Sequence, residues 1–173
     1  MNIVKLSMIK IAVSKCLLGE QVRYDGTDRL CKHINAIIND SISLVPFCPE
    51  VAIGMGIPRA PIQLDMIGTT INARRVNNPT EDFTEALTEY ANKFVNDHPD
   101  LVAVINKKGS PSCGFRTTKL YIDNVLQHSQ ASGIFLREIT SLLPDLVTID
   151  EIDLADSDKK QIFLEAIHKK SPQ

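Results

Sequence analysis

Short apolar runs rich in Ile and Val alternate along the chain with longer stretches of helical periodicity, which is the pattern of parallel strands joined by crossover helices. The first run, Ile9 to Ser14 (IKIAVS), predicts a strand that ends in a loop rich in turn formers, LLGEQVRYDGTD. From about Asp28 to Asp40 a helix is expected, with Leu30, Ile34, Ile37 and Ile38 on one face. A second run, Ile42 to Phe47 (ISLVPF), is a strand candidate, but Pro46 is awkward for a central strand and predicts a short or irregular one. Pro and Gly punctuate Val51 to Pro79, which reads as a long loop carrying one hairpin; loops of that length in a compact domain usually serve function. Thr80 is placed to cap a helix whose apolar stripe is Phe83, Leu87, Tyr90, Ala91 and Phe94, closed by Pro99. Leu101 to Asn106 (LVAVIN) is the clearest buried strand, and it runs into KKGSPSCGF. A short strand near Tyr121, a helix around Gly133 to Leu142, a strand LVTID and a last helix from about Asp156 to Lys169 complete the expectation: an α/β fold with a mainly parallel sheet flanked by helices.

The composition agrees with one globular domain over residues 1–173, at 43% apolar and 23% charged. Nineteen basic against 21 acidic side chains give a net charge of −2, so no global field draws the chain to nucleic acid or to an anionic membrane, and a small or neutral partner fits better. The opening MNIVKLSMIKIAVSKCLLG is apolar, but Lys5 and Lys10 interrupt it and no small-residue cleavage pattern follows, so it reads as strand rather than export signal. No run approaches the ~18 uninterrupted apolar residues of a membrane span. A cytoplasmic location, with its thiols kept reduced, is expected.

That expectation changes the meaning of the four cysteines. Cys16 follows the first strand by two residues, Cys48 directly follows the second, and Cys113 lies a few residues past LVAVIN. In an open parallel sheet the carboxyl ends of the strands lie along one edge, where ligands bind, so these three would converge. Thiolates are soft ligands suited to zinc, copper(I) or an iron–sulfur cluster. The absence of a CxxC pair weighs against structural zinc. Three thiolates cannot close a four-iron cluster, and the iron left open is what a catalytic centre needs. A free cysteine is ordinarily core filler, a role that suits Cys31 beside Leu30 and Ile34; the other three stand in turn-forming contexts where filler is less natural.

Other groups cluster with these in sequence. Glu50 follows Cys48 by two residues and is a candidate acid–base group, against the plainer role of a solvated loop carboxylate. Ser110 and Ser112 flank Pro111 beside Cys113, where their hydroxyls can serve a cluster, a substrate or the turn itself. Arg23, Tyr24 and Asp25 follow the first strand in VRYDG, and Arg59 lies in IPRAPI; a guanidinium suits a carbonyl or an anion, though loop arginines often make ion pairs instead. Lys107 and Lys108 offer electrostatic help or simply a solvated pair, and His33, His98, His128 and His168 have no metal-ligand spacing.

The blocks VSKCLLGEQVRYDG, VPFCPEVAIGMGIPRAPIQL and INKKGSPSCG stand in an order and spacing that resembles the TudS-like thiouracil desulfidase family, formerly an uncharacterised bacterial family, over roughly residues 9–140. The resemblance implies a three-layer Rossmann-like domain and a [4Fe–4S] cluster on Cys16, Cys48 and Cys113. It also implies hydrolytic removal of sulfur from thiouracil, giving uracil and hydrogen sulfide. The family's catalytic carboxylate and serine fall on Glu50 and on Ser110 or Ser112. Many relatives carry a further cysteine where this chain has Val22, and the segment after the last cysteine is altered to FRTTKLYIDNVLQHSQASG. The expected partner is a small thiolated pyrimidine, with Arg23, Tyr24, Asp25 and Arg59 as its contacts. Two other functions use the same ligands: a non-enzymatic metal or cluster module, and a three-cysteine zinc hydrolase.

Overall fold

A computed structural model describes residues 8–170; the part of the expected first strand before residue 8 lies outside the described residues. In chain order the elements are β1 (Ile9–Ser14), β2 (Ile42–Phe47), α1 (Pro49–Ala52), β3 (Ile62–Ile67), β4 (Thr70–Arg75), β5 (Asn78–Asp82), α2 (Thr84–Asp97), β6 (Leu101–Asn106), β7 (Thr118–Ile122), β8 (Val125–Ala131), α3 (Ile134–Leu142), β9 (Val147–Asp150) and α4 (Ser157–Lys169).

The apolar runs assemble into a parallel sheet of order β2-β1-β6-β9. Its two faces follow the alternation of each strand. Ile9, Ile11, Val13, Ala103 and Ile105 point to one side, onto Phe163 and Ile167 of α4 and onto Ile34 and Ile37. Ala12, Phe47 and Val104 point to the other, onto Ala91 and Phe94 of α2 and Phe135, Leu136 and Ile139 of α3. Helices therefore cover both faces, as expected. β2 is neither short nor irregular: it runs six residues in unbroken register with β1, and Pro46 is tolerated because β2 is the edge strand.

A second sheet, of order β5-β4-β3-β7-β8, is built from the two stretches that the chain inserts ahead of α2 and α3. The expected hairpin is β3–β4, joined in antiparallel register, and β5 extends it; β3 and β7 pair in parallel. Its inner face, with Ile62, Leu64, Ala73 and Leu120, packs on Leu87 of α2 and Ile134 of α3, so the α2–α3 pair packs against both sheets. Phe135 anchors that pair, with ring centroids 5.2 Å from Phe47, 5.4 Å from Phe94 and 5.3 Å from Tyr90.

Two expected elements differ. The helix from Asp28 to Asp40 does not form: only Lys32–Ile34 makes a single 3₁₀ turn, and of the expected apolar face Leu30 and Ile38 are exposed while Ile34 and Ile37 are buried. Backbone bonds from Arg29 N–H to Cys16 C=O (2.8 Å) and from Cys31 N–H to Leu17 C=O (2.8 Å) dock this segment on the 3₁₀ turn Lys15–Leu18 that follows β1, with Cys31 in extended backbone (φ −103°, ψ 99°) that a helix cannot include. Asp28 Oδ1 also accepts the N–H of Leu30 at 3.0 Å, a local turn that competes with helix. Thr80 does not cap α2, because it lies within β5; Asp82 Oδ1 accepts the Thr84 N–H at 2.8 Å instead. No helix among the described residues is long and apolar enough to cross a membrane.

Candidate functional site

In the parallel sheet the chain moves from β1 to β2 on one side and then to β6 on the other, so the strand order reverses beside β1. At such a point the loops leaving the strands diverge and open a crevice at their carboxyl ends. A cavity of about 350 Å³ occupies it, lined by Ser14, Lys15 and Cys16 after β1, by Phe47 to Glu50 after β2, and by Lys107 to Cys113 after β6. Val22 to Tyr24 and Arg59, Pro61 and Ile62 close the remaining sides.

The three cysteines named from the sequence thus share one cavity, while Cys31 packs in the core on the α4 side of the sheet. Burial pushes the Cys16 thiol up to about 12, and the nearby Cys113 and Cys48 sulfurs push it the same way. Burial likewise raises Cys48 to about 11 and raises Cys113. All three are protonated thiols at neutral pH in the metal-free chain, so they are poor free nucleophiles. A bound cation would displace those protons and relieve the mutual repulsion of the sulfurs. Among the described residues, no three His, Cys, Asp or Glu side chains lie close enough to hold a single metal ion. One zinc ion needs its sulfurs within about 2.3 Å of a common centre, whereas a cluster takes each thiolate on a separate iron and so accepts a wider triangle. Three thiols from three loops on one cavity are a donor set that a cluster, taking each thiolate on a separate iron, can use.

Beside the thiols runs a buried polar chain. Glu50, in α1, is 9% exposed. Its Oε2 accepts from Arg59 Nε at 2.7 Å and its Oε1 accepts from Ser112 Oγ at 2.8 Å. Ser112 and Ser110 hydroxyls are 3.1 Å apart, and Ser110 Oγ accepts the Cys113 N–H at 3.2 Å. The Arg59 side chain is itself only 5% exposed, with its other guanidinium nitrogens donating to the carbonyls of Gly56 and Val22, each at 3.0 Å. The same Val22 carbonyl lies 3.9 Å from Cys48 Sγ. Tight packing fixes the Ser-Pro-Ser-Cys turn: a Cβ on Gly133 would stand 2.4 Å from the Ser112 carbonyl carbon, and one on Gly114 would stand 2.4 Å from Thr118 Oγ1.

Of the site residues read from the sequence, Cys16, Cys48, Cys113, Glu50, Ser110, Ser112, Arg23, Tyr24 and Arg59 all line the cavity. Asp25 does not; its Oδ1 accepts from the Thr27 hydroxyl, the Thr27 N–H and Arg23 Nε, and the Thr27 hydroxyl holds its carboxyl well below the usual carboxylate range. Asp25 therefore fixes the turn that presents Arg23, whose guanidinium carbon lies 5.5 Å from the Tyr24 ring centre. Sequence reasoning did not single out Ser14, whose Oγ is 3.5 Å from Cys113 Sγ and accepts the Lys107 N–H at 3.2 Å. Its one signal was a polar residue ending an apolar strand. Lys107 also faces the cavity, and its ammonium pairs with Glu151 Oε1 at 2.5 Å.

Comparison with known proteins places this geometry. The chain is 33% identical over 112 residues to the uncharacterized protein YbbK of Bacillus subtilis (strain 168), covering 60% of this chain and 72% of that one. Its fold matches the solved structure of the [4Fe–4S]-dependent thiouracil desulfidase TudS with a TM-score of 0.64 and 26% identity, over 89% of this chain and 98% of the other. The family described as 2-thiouracil desulfurase matches residues 11–151, and with that span, which holds every cavity-lining residue, the chain belongs to the 2-thiouracil desulfurase family.

Proposed function

We propose that this protein is a [4Fe–4S]-dependent desulfidase that hydrolyses the C–S bond of thiouracil or a related thiolated pyrimidine and releases hydrogen sulfide. The observation that carries this function is the meeting, on one cavity, of three thiols from three strand-end loops with a buried carboxylate bonded to a serine. Family membership and the fold shared with TudS support it.

Cys16, Cys48 and Cys113 would hold the cluster, which when bound supplies an iron without a protein ligand, a soft Lewis acid for sulfur. The rest is work for the chain's own side chains. A serine has one proton to give, and Ser112 gives it to Glu50 Oε1; in the Ser110–Ser112 contact Ser112 therefore accepts and Ser110 donates. The order Ser110 to Ser112 to Glu50 is a path along which a proton leaving a water beside Ser110 reaches the carboxylate, and along which it returns to the departing sulfur. Water supplies the oxygen of the new carbonyl and both protons of the hydrogen sulfide, with no net redox change. Arg59 spends three guanidinium nitrogens on Glu50, Gly56 and Val22, and so serves the substrate through the aim of Glu50. Tyr24 and Arg23 at the cavity side, with the apolar walls Phe47, Pro61 and Ile62, suit a flat heteroaromatic ring. Free thiols and an open iron suit a reducing compartment such as the cytoplasm.

The test is an anaerobic assay of iron- and sulfide-reconstituted protein on 2-thiouracil and 4-thiouracil, reading uracil and sulfide together. Equal release of both products is expected, with Glu50→Gln and Ser112→Ala slower by about 100-fold or more. Loaded protein that leaves both substrates intact sinks the proposal.

A further inference from the structure

Asn106 ends β6 and is 1% exposed, yet neither its Nδ2 nor its Oδ1 has a hydrogen-bond partner. Buried polar groups are nearly always paired, because each one left dry forfeits its hydration. Strand register says what stands next to it. Val13 pairs with Ile105, so Ser14 and Asn106 are neighbours in the last row of the parallel sheet, with Phe47 on the far side of Ser14. By alternation Asn106 shares the face of Val104, the face on which Cys113 and Phe135 pack. Ser14 Oγ accepts the Lys107 N–H and lies 3.5 Å from Cys113 Sγ, which leaves its own proton available to the sulfur. The last row of the sheet thus carries three adjacent buried polar residues: Ser14 in contact with the Cys113 sulfur, Asn106 with nothing to bond, and Asp150 on the far side of Asn106, its Oδ1 taken by the Ile152 and Asp153 N–H groups.

Resting on the ligand set proposed above, we propose that Ser14 and Asn106 form a polar shelf that fixes the Cys113 sulfur in place as a cluster ligand. Ser14 donates directly. Asn106 acts through ordered water, which can accept from Nδ2 and donate to Oδ1 where sulfur could do only the first. Hydrogen bonds of this kind orient a ligand and tune the metal behind it. Asn106 lies outside the cavity lining, and Ser14, though on it, acts here through the Cys113 sulfur, so both are positioning residues.

Asn106→Leu, close in size and apolar, and Ser14→Ala test this in the full chain, each metal-free and after anaerobic loading. Metal-free Asn106→Leu is expected to melt no lower than wild type and up to roughly 3 °C higher, since the atoms removed have no protein partner. Loaded, each variant is expected to release iron to a chelator about tenfold faster than wild type, and Ser14→Thr, which keeps the hydroxyl, to restore the wild-type rate. A stabilised empty protein with a weakened loaded one is an outcome that mere space-filling does not give. Asn106→Leu melting several degrees below wild type when metal-free overturns the shelf. Iron release from both variants at the wild-type rate overturns it too, while leaving the three ligands standing. A wild-type chain that takes up no iron overturns the ligand set and the shelf together.

Discussion

Replacing Arg59 with methionine separates a buried ion pair from its neighbours without opening a large void. The arginine side chain is 5% exposed and that of Glu50 is 12% exposed, so the carboxylate left behind has little water to turn to. Removing one partner of a buried pair costs about 3–5 kcal/mol. Glu50 keeps Ser112 as a donor and borders the cavity, which puts the expected loss at the lower end, about 3 kcal/mol. For a chain of this length that is a fall in Tm of roughly 6–12 °C. Thermal unfolding of the metal-free protein measures it without any contribution from a bound group. The second arm is Arg59→Met with Glu50→Gln, which removes the charge that Arg59 compensates and is expected to recover at least half of the loss. A single variant within about 0.5 kcal/mol of wild type, or a double variant as unstable as the sum of the two singles, would refute the clamp; distant independent sites add within that margin.

Gly133→Ala drives a methyl group against the Ser112 carbonyl, so a loss of about 1–3 kcal/mol is expected in the metal-free protein, together with reduced iron uptake because Cys113 is displaced; wild-type melting and uptake would contradict the packing argument. Asp156 caps α4 by accepting the N–H groups of Lys159 at 3.1 Å and Asp158 at 3.0 Å, and the Lys159 amide, with that of Asp158, holds its carboxyl below the ordinary value. A depressed carboxylate contributes stability above its unfolded pKa, near 3.9, and loses it as the pH falls through the lower folded value. Asp156→Ala should therefore melt below wild type at neutral pH, with the gap closing as the pH is taken below about 4; parallel curves across that window would contradict the cap.

Much of this fold was legible because burial imposes a period. β1, β2, β6 and β9 are apolar runs bounded by turns, and α2, α3 and α4 carry stripes that do become buried faces. What failed was local spacing without tertiary knowledge. Leu30, Ile34, Ile37 and Ile38 have helical spacing, yet docking on the 3₁₀ turn after β1 holds Cys31 in extended backbone in the middle of that run, which only the tertiary contact reveals. β8 is exposed at six of its seven residues and so has no buried period to read, and β5 is exposed at four of five. The cavity was legible for a different reason: in a parallel sheet, chemistry-bearing residues just past strand ends share an address whatever their separation in sequence. Ser14 and Asn106 look like strand residues in the sequence, and only the fold puts Ser14 against Cys113 and Asn106 beside Ser14.

The central claim is that Cys16, Cys48 and Cys113 act together as ligands of one iron–sulfur cluster. The most direct measurement is iron and acid-labile sulfide per chain after anaerobic reconstitution of wild type, of the three single Cys→Ala variants and of Cys31→Ala. Four irons and four sulfides are expected in wild type and in Cys31→Ala, with little or none retained in the other three. Full loading of any of Cys16→Ala, Cys48→Ala or Cys113→Ala, or its loss in Cys31→Ala alone, would contradict the account.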